Sequence, residues 1–214
     1  MTTLTVQVEA NQDDGEREWD DMMGDWNFDN SGNYVRMGNT NAGDGAYDIS
    51  CYFRFEGVDI PQGATINSAK LQYMLSANYS YSGNDTTIYG ANADTSGSID
   101  TNGDFESEAL DIPTAGVTWA LSTSTNTSSF QDSADITVPV QQIVNRSGWN
   151  DPESDPSDNM TIFLTNNTEA GMMSSWEMRI RAYDDDSAKA VKLVVDYTEA
   201  GAAVSNPAFL LFMD

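Results

Sequence analysis

The run CYFRFEGVDIPQGATINSAKLQY, residues 51–73, decides the fold. Its first part, CYFRFEGV (51–58), is short, apolar and rich in aromatic residues, which is the composition of a strand. DIPQGATI (59–66) then punctuates the chain with Pro61 and Gly63, a turn signal. The chain resumes with SAKLQYMLSA (68–77), in which Leu71, Tyr73 and Leu75 recur every second residue and so share one face. Cys51, the only cysteine, sits inside the apolar run and is expected to be a buried small hydrophobe rather than a nucleophile.

Working outward, the same grammar repeats. Strands are expected at TLTVQVE (3–9), around YVRMG (34–38), at DTTIYGANA (85–93), GVTWAL (116–121) and NMTIFLTN (159–166). EMRIRAYDD (177–185) and AVKLVVDYT (190–198) read as a closing pair joined by the acidic turn Asp184-Asp185-Asp186. Residues 10–50, rich in Asp, Asn and Gly, read mainly as long loops, and residues 94–116 as a polar excursion. One helix is expected, within ITVPVQQIVNRSGW (136–149), where Val140, Ile143 and Val144 follow helical spacing and Gly148 offers a stop. The result is an all-β, jelly-roll-like antiparallel β-sandwich with one short helix and long loops, spanning residues 1–198. Residues 199–214 read as a flexible linker and an apolar C-terminal tail.

Charge limits what the chain contacts. It has 34 acidic and nine basic residues and a formal net charge of -25. Such a surface repels phosphate backbones and anionic membranes, so nucleic acid is excluded as a direct partner. It attracts divalent cations and basic protein surfaces instead. Histidine is absent. This rules out a Ser-His-Asp or Cys-His relay and any His-ligated metal. No pair of carboxylates stands out in an apolar setting that would tune it for glycoside hydrolysis, so no enzyme activity is expected. No apolar run approaches the length of a membrane span.

Four segments, in order, resemble a bacterial and phage β-sandwich module related to DNRLRE-type domains and to calcium-binding carbohydrate-binding modules. CYFRFEGVDIPQGATINSAKLQY resembles the core LRF…V.IPQGATITSA.LQF, and VQQIVNRSGW (140–149) the helix VQEIVDRPGW. DDGERE (13–18) is similar to an acidic DDAEE element, and AYDDDSAKAVKLVVDYT (182–198) to the closing strands. The chain departs from the pattern at Asn145 and Ser147, and its acidic loop at 150–158 is longer. The resemblance implies a jelly-roll-like sandwich, often calcium-loaded, serving as a non-catalytic adhesive or stabilising appendage.

Candidate sites follow from residue type. Calcium takes six to eight oxygen ligands. Asp13, Asp14 and Glu16 after the first strand, with Asp184, Asp185 and Asp186 before the last, are the expected Ca2+ ligands if the terminal strands lie close. Trp19, Trp26, Tyr79 and Tyr81 lie in polar, loop-like segments and are candidates for stacking on sugar rings, whereas Trp119 and Trp149 are assigned to the core. The tail residues Pro207, Phe209, Leu210, Leu211, Phe212 and Met213 are too few to span a bilayer and are expected to dock on a partner. Residues 1–6 lack the charged and apolar regions of a signal peptide. A single module without an export signal, carrying a surface suited to life outside the cell, is expected in a virus particle, as a capsid decoration or fibre subunit. Its partners would be other virion proteins or copies of itself. The alternative is an extracellular carbohydrate-binding or adhesion module.

Overall fold

The computed structural model describes residues 1–41, 46–78, 84–109, 113–121, 126–150, 158–166 and 176–199. Twelve strands are present among them: β1 (Thr2–Gln7), β2 (Asp14–Asp20), β3 (Asp25–Asp29), β4 (Tyr34–Asn41), β5 (Ala46–Phe55), β6 (Thr65–Tyr73), β7 (Asp85–Gly90), β8 (Val117–Ala120), β9 (Gln131–Asp132), β10 (Met160–Asn166), β11 (Trp176–Arg181) and β12 (Lys192–Thr198). Two α-helices join them, α1 (Asn102–Ala109) and α2 (Thr137–Val144). One sheet has the order β1-β12-β6-β9, and the other runs β11-β4-β5-β10-β7-β8 with β2 and β3 attached through β5. All pairings are antiparallel. The protein is an all-β sandwich.

The two sheets enclose one core. Leu71, Leu193 and Val195 come from the smaller sheet, and Met37, Phe53, Phe55, Ile162, Leu164 and Ile180 from the larger, all essentially out of water. The larger sheet is also covered on its other side. There Tyr52, Tyr89 and Phe163 pack with Phe105 and Ala109 of α1 in a second apolar cluster. Burial on both faces is why CYFRF and TIFL are continuous apolar runs rather than alternating ones. The IPQGATI turn seals the end of the core: Ile60 and Ala64 are fully buried, and Gly63 takes φ +72°, a left-handed conformation that glycine adopts without a Cβ penalty. Helix α2 closes the same end, with Val140, Ile143 and Val144 buried as their spacing requires. Trp149 is fully buried and donates its indole N–H to the Ile60 carbonyl at 2.8 Å.

Three expectations are corrected. Residues 14–20 and 25–29 form strands, not long loops, because β2 pairs along residues 47–53 of β5 and so carries its acidic residues into the sheet, whereas the strand expected around 34–38 is present as β4. EMRIRAYDD and AVKLVVDYT do not pair with each other. β11 pairs with β4 in the larger sheet, β12 with β1 and β6 in the smaller one, and the Asp184–Asp186 turn therefore crosses between the layers. Finally, α1 lies within the segment read as a polar excursion. Thr101 and Asp104 cap it reciprocally: the Asp104 N–H donates to Thr101 Oγ1 at 3.2 Å, and the Thr101 hydroxyl donates to Asp104 Oδ2 at 2.8 Å.

Candidate functional site: the buried charges of strand β2

Strand β2 and the 3-10 turn before it place carboxylates where apolar side chains would be expected. Asp13, Asp14 and Glu16 are at most 5% exposed. Burial penalises their charged forms and raises all three pKa values above the ordinary carboxylate range. Each has a distinct partner. Asp13 Oδ1 accepts from Arg54 Nη1 at 2.6 Å, and the same guanidinium reaches Glu56 at 2.6 Å and the Ser96 carbonyl at 3.3 Å. Glu16 accepts from both the backbone N–H and the guanidinium of Arg36, which also reaches Glu18 at 3.0 Å. A pocket of about 350 Å³ opens beside this pair, lined by Asp29, Gly32, Asn33 and Tyr34.

Asp14 faces another way. Its Oδ2 accepts from the Tyr183 N–H at 2.9 Å, which joins β2 to the turn that crosses between the sheets. Its pKa is pushed up to about 7, first by burial and further by the neighbouring charges of Asp184 and Asp13. Asp13 Oδ2 and Asp184 Oδ2 are buried with no hydrogen-bond partner. The first and last acidic clusters are thus brought together through Asp13, Asp14 and Asp184. The rest of the expected ligand set is committed elsewhere. Glu16 is held by Arg36, Asp185 by Arg181, and Asp186 pairs with Lys189 at 2.7 Å while capping a 3-10 turn through the Ala188 N–H. Among the described residues, no group of three or more Asp, Glu, His or Cys side chains is arranged to hold a metal ion.

The expected aromatic residues fare differently. Trp19 and Trp26 sit opposite each other on the β2–β3 hairpin, with ring centroids 5.2 Å apart in an edge-to-face arrangement. Both are half-buried. The Trp19 indole N–H donates to Asp21 at 2.7 Å, and the Arg17 guanidinium covers the Trp26 ring at 4.0 Å. Tyr79 and Tyr81 lie outside the described residues, as do Pro207, Phe209, Leu210, Leu211, Phe212 and Met213. Trp149 belongs to the core as expected, and Trp119 packs on its edge against Tyr73 at 5.3 Å.

The residues missed from sequence are the arginines. Arg17, Arg36 and Arg54 neutralise the interior carboxylates or cap buried rings; Arg17 also stacks on Phe105 at 4.3 Å. Their signal is scarcity: with nine basic residues against 34 acidic ones, arginines placed inside strand patterns mark where buried acids need compensation. Cys51 is fully buried, and burial raises its thiol pKa, which leaves it inert. Among the described residues, no helix is long and apolar enough to cross a membrane. Compared with known proteins, the chain matches no family model and no curated relative.

Proposed function

We propose that this protein is a non-catalytic, calcium-stabilised structural module of a virus particle, a decoration or fibre subunit exposed outside the cell. The observation that carries this reading is the use made of interior charge. Asp13, Glu16, Arg36 and Arg54 are spent on cross-strand and loop-to-strand bridges inside a doubly covered sheet. Charges locked in this way brace a scaffold, and they are not free to move protons or attack a substrate. The similarity of segments 13–18, 51–73, 140–149 and 182–198 to stabilising appendage modules supports the same reading, and so does an acidic exterior that keeps such a protein soluble.

Calcium enters at one place. Asp13, Asp14 and Asp184 share a locality with two unpartnered buried oxygens, and a hard cation there would offset the burial and the repulsion that raise the Asp14 pKa. An ion would draw these carboxylates together, because they do not form a three-ligand group as they stand. The apolar tail, residues 207–213, supplies the contact with a neighbouring virion protein or another copy.

The test is to purify particles from the source and label them with antibody against this chain. Specific labelling of intact particles, lost when residues 203–214 are deleted, is the expected result. Absence of the chain from purified particles refutes the reading. A second reading, a glycan-binding module, is favoured by the paired Trp19 and Trp26. It predicts saturable glycan binding by the isolated chain that disappears in Trp19→Ala or Trp26→Ala.

A further inference from the structure

Between Asp20 and Asp25 the β2–β3 hairpin turns through Asp21, Met22, Met23 and Gly24. The two methionines are 60% and 77% exposed, and they are the only adjacent pair among the exposed large apolar side chains of the described residues. Apolar side chains displayed side by side on a turn lose free energy to water unless something covers them. The turn is also held firmly. Asp20 Oδ1 accepts from the N–H groups of Met22 and Met23 at 2.9 and 3.0 Å, the Gly24 N–H donates to the Asp20 carbonyl at 2.7 Å, and Gly24 takes φ +66°. Behind it the Trp19–Trp26 pair and Arg17 brace the two strands. A turn held in this way spares the backbone an ordering cost on binding, so only the two side chains are left to order.

We infer that this hairpin tip docks into a basic protein surface that carries an apolar pocket for Met22 and Met23. Charge selects that occupant. From Glu18 to Asn27 the sequence EWDDMMGDWN holds four acids and no basic residue, so the methionines are ringed by negative charge. A second copy meeting this tip through the same hairpin would set these acids against their like, and an anionic bilayer would be repelled as well. A Lys/Arg-rimmed pocket would be steered in by the acids and held by the thioethers, which mould themselves to irregular apolar cavities. The inference does not depend on the particle reading, since the same tip serves any partner of this chemistry.

The full chain is used to select binders from a random 16-residue peptide display library, with Met22→Ser/Met23→Ser as the counter-target. Expected is enrichment of peptides that combine Lys or Arg with large apolar residues. Their affinity should fall at least tenfold for the double variant and weaken with added salt. A thermal melt of the variant that matches the parent shows that the fold is kept. Three results overturn the inference: no enrichment that depends on the methionines, enriched peptides that lack basic residues, or peptides that bind parent and variant alike. Two parallel measurements name the rival occupants. Methionine-dependent binding to neutral phosphatidylcholine vesicles without peptide binding would assign the tip to a membrane surface. Methionine-dependent dimerisation in sedimentation would assign it to a second copy.

Discussion

Replacing Asp14 by Asn should make the protein more stable near pH 8 and leave it almost unchanged near pH 4. Asp14 is 2% exposed, and its pKa rises from the ordinary value of 3.8 to about 7, mainly through burial. At about 1.4 kcal/mol for each factor of ten, ionising it in the folded chain costs on the order of 4 kcal/mol more than in the unfolded chain. The sign follows from proton counting. Below about pH 4 both states hold the proton, and nothing is lost. Between about pH 4 and 7 the unfolded chain gives up its proton while the folded chain keeps it, so stability falls as pH rises. Above about pH 7 the full cost is present. Asn keeps a side-chain oxygen to accept from the Tyr183 N–H but carries no charge, so it escapes this cost. Glu16 and Asp48 are raised by burial too and add slopes of the same sign, but these are common to both proteins and cancel in the comparison, whereas Asp13 is coupled to Asp14 and its slope eases when that charge is removed.

The assay is urea unfolding followed by tryptophan fluorescence at half-unit steps from pH 4 to 8, in a chelator and again in millimolar calcium. In the chelator, the difference between Asp14→Asn and parent should grow steadily across this range. In calcium, a cation at Asp13, Asp14 and Asp184 favours the ionised form, so the parent should flatten and gain stability, while Asp14→Asn, left with one charge fewer at the site, should gain less. Parallel pH profiles in the chelator would refute the burial argument. An equal calcium response in both proteins would refute the proposed position of the ion.

Other perturbations test the scaffold. Arg54→Met leaves Asp13 buried without its counter-charge and should cost about 3–5 kcal/mol in urea unfolding at pH 7, with part of the loss recovered as acid protonates Asp13. Gly63→Ala meets no atom within 4 Å, so only its left-handed backbone is penalised; a loss of about 1–2 kcal/mol is expected, and no loss would contradict that conformation. Phe105→Ala removes the side chain that packs α1 onto Tyr52 and Phe163. It should cost about 3–5 kcal/mol and open residues 102–109 to limited proteolysis before the sandwich unfolds.

The local sequence by itself determined the elements with a clear apolar pattern. Period-two patterning around residues 65–73 and 192–198, the doubly apolar runs at 51–55 and 160–164, and the helical spacing of Val140, Ile143 and Val144 each state how one segment meets a buried surface. Helix α1 carries a local signal in the Thr101–Asp104 cap and the Phe105–Ala109 spacing, but its short length and polar setting hide it among loop residues. Only the tertiary structure decided which strands meet. Nothing local tells β11 to pair with β4 and β12 with β6, because strand pairing is set by distant neighbours competing for the same edge. Nor did DDGERE announce that it is interior. A carboxylate is buried when the fold brings a guanidinium or a backbone N–H to it, and Arg54, Arg36 and Tyr183 lie 41, 20 and 169 residues away along the chain.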